Sequence, residues 1–237
     1  LKRFLKFNQV LINLCLNKKI DIIFIHMCPE YAILTWAYAK LKNIPIVIWY
    51  AHKDVNYKLE LAHLLVNKVV SSSMDGFRVN TNKLIITGQG IDTEKFKIQS
   101  PKSKINEAKR IILSVGRISP IKDYETLIKA ADILVNKKGI KDIEFDIVGG
   151  IYTKLGTKYY EKLKEMIFKF ELDESVRFKG PVSYSKIPVY YQNCDIFVNL
   201  SPTGAPDKVV LEAMACGKIP LVCNQTFKEI FDGYAEE

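Results

Sequence analysis

Short apolar segments alternate with amphipathic segments along the whole chain, and this alternation limits the folds that the chain can adopt. Nine runs rich in Val, Ile, Leu and Phe predict strands, at residues 20–26, 44–50, 69–72, 84–88, 111–116, 143–149, 176–178, 196–200 and 219–223. Helical periodicity lies between them, at residues 2–17, 30–41, 57–67, 124–137, 157–171, 185–193 and 208–216. Strands that are apolar on both faces and alternate with helices are typical of parallel sheets covered on both sides. The pattern predicts an α/β chain with doubly wound parallel sheets.

This alternating pattern occurs twice, and a polar segment separates the two copies. Residues 97–110 are rich in Lys, Ser and Asn and contain Pro101, a composition typical of a linker. We therefore predict a first domain over residues 1–99, a linker over 100–109 and a second domain over 110–237. Because the chain begins with Leu1 rather than Met, we expect a fragment. Its first domain would be incomplete at the N-terminus, and its second would be truncated at the C-terminus.

The charge balance gives a net charge of +9, from 35 basic and 26 acidic residues. Most of the basic residues are lysines spread along the chain, which is typical of a solvated surface, with an anionic partner as the alternative. A nucleic-acid-binding domain would show basic residues interleaved with aromatic ones or a recognition motif, and the sequence has neither. We expect no nucleic-acid partner.

Cysteines and apolar runs indicate the compartment. The five cysteines are scattered without a CxxC pair, which favours reduced thiols over disulfides or a zinc site. No run of about 18 consecutive apolar residues occurs, so we expect no membrane-spanning helix. The sequence predicts a cytoplasmic protein, with peripheral contact at the inner face of the membrane as an open alternative.

Two cations follow the predicted strand 111–116. Arg117 comes directly after Gly116, and Lys122 precedes Asp123, a residue type that favours the N-cap of a helix. Cations beside a helix N-terminus, at the carboxyl end of a parallel strand, favour a diphosphate-binding site. Two solvated cations on a surface loop are the alternative.

Residues 196–223 read as strand, loop, helix and strand. The loop is small enough for its backbone to approach a ligand closely, and the first N–H groups of the helix lack partners in the helix. Glu212, one turn into the helix, can accept two hydrogen bonds from a ribose diol, although a solvated glutamate is the alternative. The candidate loop and helix-start residues are Gly204, Ala205, Pro206, Asp207, Lys208, Val209 and Val210.

Histidine supplies one further candidate. His52 follows the predicted strand 44–50, so it lies at the strand end where parallel sheets bind ligands. A surface or hydrogen-bonded loop histidine is the alternative. His26 is a weaker candidate, and His63, in a predicted helix, reads as structural. No His, Cys or Asp pattern has metal-ligand spacing, so we expect no metal site.

Several of these segments together resemble one family. Glu212-Ala-Met-Ala-Cys-Gly217 with Pro220 resembles the C-terminal signature of retaining GT-B glycosyltransferases of family 4, the glycosyl transferases group 1. Gly116-Arg117 followed by Lys122 is similar to the phosphate-binding pair of that family. Two further stretches resemble it, Gln89-Gly90-Ile91-Asp92 with Phe96, and Arg177-Phe-Lys-Gly180 with Tyr191 and Asp195.

The resemblance implies a GT-B fold of two Rossmann-like domains and a retaining glycosyltransferase, of the hexosyltransferase type. Such an enzyme moves a sugar from a nucleotide-diphosphate sugar to an acceptor that is lipid-linked, a polysaccharide or a small molecule. It implies no cofactor and no metal, and a role in cell-envelope polysaccharide synthesis. A non-catalytic nucleotide-sugar-binding homologue, or an inactive fragment, is the alternative.

The resemblance also implies roles for single residues. Arg117 and Lys122 would hold the diphosphate, Glu212 the ribose, and His52 would lie near the donor sugar. The backbone from Ala205 to Val210 would approach sugar and phosphate. The residues expected to flank the base are Gly149, Gly150, Pro181 and Val182. Gly204 stands where the family carries a sugar-binding glutamate, so we expect Asp207 to be either a helix N-cap or a substitute sugar ligand.

Overall fold

The computed structural model of the protein describes residues 2–97, 109–202 and 204–231. The chain divides into two compact units, Leu1–Gln89 and Gly90–Glu237. The predicted linker over 100–109 lies outside the described residues except for Lys109, so it stays a prediction.

The first unit contains four parallel strands and three helices. The strands are β1 (Ile23–His26), β2 (Ile46–Trp49), β3 (Lys68–Ser71) and β4 (Leu84–Ile86), and the helices are α1 (Lys2–Asn17), α2 (Pro29–Leu41) and α3 (Tyr57–Leu65). The sheet order is β1-β2-β3-β4, and every pairing is parallel, as predicted.

The core of this unit lies on one face of its sheet. Ile25, Ile48 and Val69 are buried there against residues of α2 and α3 such as Ala32 and Leu59. Side chains alternate between the two faces of a strand, so Phe24 and Ile85 point to the opposite face. They are 60% and 44% exposed. The prediction of cover on both sides therefore fails for this face, as far as the described residues show.

The described residues of the second unit form five parallel strands between two helical layers. The strands are β5 (Arg110–Val115), β6 (Ile143–Val148), β7 (Val176–Gly180), β8 (Ile196–Asn199) and β9 (Ile219–Val222). The helices are α4 (Thr93–Phe96), α5 (Tyr124–Asp132), α6 (Lys154–Lys169), α7 (Ile187–Asn193), α8 (Lys208–Ala215) and α9 (Lys228–Phe231). The predicted helix 124–137 ends as a π-helical turn, Ile133–Lys137.

Both faces of this second sheet are covered, as the apolar strands predict. Leu127 and Leu163, from α5 and α6, pack with Phe145 on one face. Tyr191 and Val210, from α7 and α8, pack on the other. None of the helices that the described residues form is long and apolar enough to cross a membrane.

Residues 90–97 belong to the second unit, whereas the sequence analysis assigned them to the first domain. Phe96 is fully buried in the core of the second unit. Its ring centre lies 5.7 Å from that of Tyr184 and 5.9 Å from that of Tyr191, both in edge-on contact. The boundary between the two units therefore lies after Gln89, about ten residues before the predicted end of the first domain, and Phe96 packs in the second unit.

The order of strands fixes where a ligand can bind. The second sheet runs β7-β6-β5-β8-β9, so the chain proceeds outwards from β5 to β7 and then returns to add β8 on the other side. The loops that leave β5 and β8 diverge at this switch point and open a crevice at the carboxyl ends of the strands. Arg117 and Lys122 follow β5, and Asp207 follows β8.

Candidate functional site

The loop between β5 and α5 holds Lys122 close to the end of the strand. The Tyr124 hydroxyl donates a hydrogen bond to the Gly116 carbonyl oxygen, at 2.9 Å. The Lys122 side chain passes over Gly116, since a Cβ built there would lie 3.0 Å from Lys122 Cε. The Asp123 carboxylate accepts from the Thr126 backbone N–H at 3.3 Å, which confirms Asp123 as the predicted N-cap of α5.

The structure brings the β5 loop and the β8 loop together through one ion pair. Lys122 Nζ lies 2.7 Å from Asp207 Oδ2, and the two side chains are only 13% and 23% exposed. The buried Asn199 donates its Nδ2–H to the same Asp207 oxygen at 3.1 Å. Residues 85 apart in the sequence thus meet at the switch point between β5 and β8.

Asp207 occupies the N-cap position of α8 without capping it. Its backbone carbonyl accepts from Val210 N–H at 3.1 Å, but its side chain makes no capping hydrogen bond. The predicted capping role is therefore wrong, because the carboxylate is held by Lys122 and Asn199 instead. The N–H groups of Lys208 and Val209, at the first two positions of α8, have no acceptor within the helix.

Arg117 is exposed and differs from Lys122 in its surroundings. Within the described part of the chain, no hydrogen bond or ion pair engages its guanidinium group. Lys122, Arg117 and Asp207 together carry one net positive charge. Of these two cations, Lys122 is paired with Asp207, whereas Arg117 has no partner among the described residues.

The loop that precedes α8 is fixed from both sides. Pro206 is buried, and Asn224 donates its Nδ2–H to the Ala205 carbonyl oxygen at 2.9 Å. Gly204 and Ala205 are half-buried, while Lys208 is exposed at the helix start. Thr203 lies outside the described residues.

Glu212 is buried within α8 rather than solvated, with only 5% of its surface exposed. The Tyr191 hydroxyl donates to its Oε2 at 2.9 Å. Burial raises the pKa of Glu212, and hydrogen bonds from Tyr191 and Tyr184 partly offset that rise. Burial raises the pKa of Tyr191 too, followed by the charge of Glu212, so this hydroxyl keeps its proton and acts as a donor.

Two residues beside Glu212 were missed by the sequence analysis as site residues. Tyr184 is 53% exposed, and Lys95 Nζ lies 3.6 Å from the centre of its ring, over the ring face. Lys95 also adds a favourable charge near Glu212. Neither residue lies in a stretch whose type or spacing indicates binding, because their proximity depends on α4 packing against α8.

Glycines after β6 allow the loops to approach each other. A Cβ on Gly149 would overlap the Gly116 carbonyl oxygen, so only glycine fits. Gly149 N–H donates to the Gly180 carbonyl oxygen at 3.0 Å, and Ile118 N–H donates to the Gly150 carbonyl oxygen at 2.9 Å. The loops after β5, β6 and β7 are thus joined by backbone hydrogen bonds.

The other two residues expected at the base lie in the loop that follows β7. Pro181 is exposed and Val182 is half-buried against the second core. Tyr152, which the sequence analysis did not single out, is 69% exposed. Its hydroxyl oxygen would lie 2.7 Å from a Cβ on Gly150, so its ring packs over that residue. An aromatic residue two positions after a glycine pair at a strand end is the signal that could have identified it.

His52 belongs to the first unit. It is exposed, its backbone N–H donates to the Gly76 carbonyl oxygen at 2.9 Å, and its Nδ1 accepts from the Asp54 N–H at 3.2 Å. These contacts are those of a hydrogen-bonded loop histidine at the end of β2. A role in catalysis stays a prediction.

Metal ligation has no candidate within residues 2–97, 109–202 and 204–231. No three His, Cys, Asp or Glu side chains converge there in a way that could hold an ion.

Residues 95–231 match the model of the family described as glycosyl transferases group 1. The D-inositol 3-phosphate glycosyltransferase of Arthrobacter sp. (strain FB24) is 30% identical over 125 residues, which cover 52% of this chain and 28% of that protein. The alpha-monoglucosyldiacylglycerol synthase of Streptococcus pneumoniae is 26% identical over 162 residues, 64% of this chain and 34% of that protein. The chain thus spans about a third of the length of these curated relatives.

Two solved structures share the fold. Anabaena Alr3699/HepE in complex with UDP superposes with a TM-score of 0.77 at 18% identity, over 95% of this chain and 64% of that one. Sucrose-phosphate synthase from Thermosynechococcus elongatus gives 0.76 at 16% identity, over 96% of this chain and 62% of that one.

Proposed function

The chain belongs to the glycosyl transferases group 1 and has a GT-B type α/β fold, and we propose that its second unit binds the nucleotide-diphosphate sugar of a glycosyl transfer. The observation that carries this proposal is the meeting of Lys122 with the start of α8 at the switch point of the sheet. An acceptor receives the sugar, and configuration at the anomeric carbon is retained.

The diphosphate lies between Arg117, Lys122 and the N-terminus of α8. Two cations and the unpaired N–H groups of a helix start supply what a diphosphate requires, charge and directed donors. Both Lys122 and Asp207 are mostly buried, so charges in this crevice are screened less than on the open surface. This arrangement supports binding of the diphosphate by the protein itself, without a metal ion.

The ribose lies against Glu212. A carboxylate has about four acceptor positions, and the two tyrosines use only two of them. Two positions remain for a ribose diol. Because Tyr191 fixes Oε2, the carboxylate is oriented before the ligand arrives.

The base lies at the glycine pair after β6. Gly149 and Gly150 leave room for a flat ring between the loops, with Pro181 and Val182 on the side of β7. The exposed ring of Tyr152 offers a further apolar surface for the base.

In the transfer step, the bond between the anomeric carbon and the leaving diphosphate oxygen breaks, the acceptor hydroxyl oxygen bonds to that carbon, and the hydroxyl proton passes to the departing diphosphate. Negative charge grows on the diphosphate oxygens, where Arg117 and Lys122 stabilise it more than in the ground state. We keep His52, at the end of β2, as a proposed catalytic residue of the whole protein.

The acceptor class is the broadest part of the proposal. The Streptococcus relative is named for a diacylglycerol lipid and the Arthrobacter relative for an inositol phosphate. We propose a cytoplasmic enzyme that acts on a lipid-linked, polysaccharide or small-molecule acceptor, in cell-envelope synthesis, with peripheral membrane contact when the acceptor is a lipid.

A thermal-shift screen with UDP-, GDP- and ADP-sugars tests donor binding, since a ligand that binds only the folded state raises its melting temperature. Arg117→Ala should lose the shift, and Glu161→Gln, an exposed residue of α6, should keep it. The anomeric configuration of the product, read by NMR with the full-length protein, tests retention. A shift without sugar release by that protein would favour a nucleotide-sugar-binding homologue, and no shift with any donor would refute the proposal.

A further inference from the structure

Asp207 places a negative charge inside a site proposed to bind a diphosphate. Its Oδ2 accepts from both Lys122 Nζ and Asn199 Nδ2, at 2.7 and 3.1 Å. The carboxylate thereby takes a position on Lys122 that an incoming phosphate oxygen would need. Aspartate at the start of a helix commonly caps it, but the Asp207 side chain makes no capping hydrogen bond.

We propose that Asp207 is a resident counter-anion of the diphosphate site and makes the site prefer the nucleotide-sugar to the free nucleoside diphosphate. The inference rests on the proposed function and adds a specificity-determining residue to it. Either ligand must displace or share the carboxylate on Lys122, but the two ligands differ in what they bring.

Charge separates the two ligands. The terminal phosphate of a free nucleoside diphosphate carries about 1.5 to 2 negative charges near neutral pH, whereas a glycosylated phosphate carries about one. Like charges placed together in a poorly screened site repel strongly. Asp207 therefore penalises the free diphosphate more than the donor.

Hydrogen bonding acts in the same direction. A sugar on the terminal phosphate presents hydroxyl donors close to the start of α8, and the Asp207 carboxylate can accept from them once it leaves Lys122. A free diphosphate offers no such donor at that end. The displaced carboxylate therefore regains hydrogen bonds only when a sugar is present. The nucleoside diphosphate product consequently dissociates more readily than the donor.

The test compares affinities by titration calorimetry for matched pairs: UDP with UDP-glucose, GDP with GDP-mannose, and ADP with ADP-glucose. Asp207→Asn should raise the affinity for the nucleoside diphosphate about tenfold and that for its sugar conjugate less than about threefold. Asp207→Ser is also neutral, and serine is favourable at an N-cap position. It should change the two affinities in the same ratio, and it tests the inference if the Asp207→Asn protein does not fold.

Glu161→Gln is the matched control. It also removes one carboxylate from a 2.7 Å ion pair, with Lys164, but this pair lies on the exposed surface of α6. Both affinities should stay at their wild-type values, which excludes a general effect of net charge.

Three results would overturn the inference while the proposed function stands: equal gains for both ligands, no change for either, or a loss for the nucleotide-sugar without any gain for the nucleoside diphosphate, which would leave Asp207 contacting the sugar without the charge penalty that the inference requires. If the wild-type protein binds none of the six probes, the proposed function fails and the inference fails with it.

Discussion

Arg117 and Lys122 should respond differently to loss of their charge, although both are assigned to the same phosphate. Lys122→Met leaves Asp207 mostly buried, with Asn199 as its remaining donor. Breaking a fully buried pair costs about 3–5 kcal/mol, and losing an exposed one costs about 0–1 kcal/mol. For side chains that are 13% and 23% exposed, we expect about 2 kcal/mol of unfolding free energy to be lost. Arg117→Met, at an exposed residue without a partner among the described ones, should cost less than about 0.5 kcal/mol.

Binding should fall in both variants, because both cations meet the diphosphate. We expect a loss of about 2–4 kcal/mol in the free energy of donor binding or turnover for each. Urea unfolding measures stability, and calorimetry with the donor found in the thermal-shift screen measures binding. The double variant Lys122→Met/Asp207→Asn should recover most of the lost stability, since no charge remains unpaired.

Three results would refute this reasoning. Equal stability losses in Arg117→Met and Lys122→Met would mean that the ion pair with Asp207 contributes nothing. Strictly additive losses in the double variant would mean the same. Unchanged binding in both single variants would remove the diphosphate from this loop altogether.

Four further predictions concern the same unit. Burial raises the pKa of Glu212 above its ordinary value of 4.5. A raised acid pKa contributes stability below the unfolded-state pKa, and this contribution is lost as pH rises through the folded-state pKa. Glu212→Gln should therefore gain stability relative to wild type as pH rises above about 4.5, and a constant difference in urea unfolding would contradict this. The same variant should lose about 1–3 kcal/mol in the free energy of nucleotide binding. Removing the 2′-hydroxyl of the nucleotide should weaken binding to the wild-type protein and leave binding to the variant nearly unchanged. Gly149→Ala, whose Cβ would overlap the Gly116 carbonyl oxygen, should lose about 3 kcal/mol of stability, whereas Gly90→Ala, with open space around its Cβ, should lose almost none. Chelation with EDTA should leave donor binding unchanged, because two protein cations meet the diphosphate. Loss of binding on chelation, with recovery on addition of Mg²⁺, would disprove binding without a metal ion.

Sequence periodicity identified the elements because strands and helices bury their side chains with different periods. The helix predicted at residues 2–17 is Lys2–Asn17, and the other predicted strands and helices begin or end within a few residues of their predicted bounds. The short helices α4 and α9 were not among the predicted elements. Parallel pairing followed from strands that are apolar on both faces, since only a sheet covered by helices can bury them. The open face of the first sheet, with Phe24 exposed, is where this reasoning and the described structure disagree.

The family and the two phosphate-side loops were likewise accessible from the sequence, because their residues lie in short contiguous motifs. Local chemistry was enough for Asp123, whose carboxylate reaches a backbone N–H only three residues away. It was not enough for Asp207, which has the same residue type at the same kind of helix start. A partner 85 residues away in the sequence, Lys122, takes its carboxylate instead.

The sequence by itself therefore determined most of the elements, their parallel pairing and the positions of the candidate loops, because these depend on periodicity and on neighbours along the chain. Only the tertiary structure decided the partners: Lys122 with Asp207, Tyr191 with Glu212, and Phe96 with the second core. Each of these contacts joins separate elements, so its existence depends on how strands are ordered and helices packed. Burial then fixed the electrostatics, since a carboxylate such as Glu212 acquires its raised pKa from surroundings that residue type and spacing do not record.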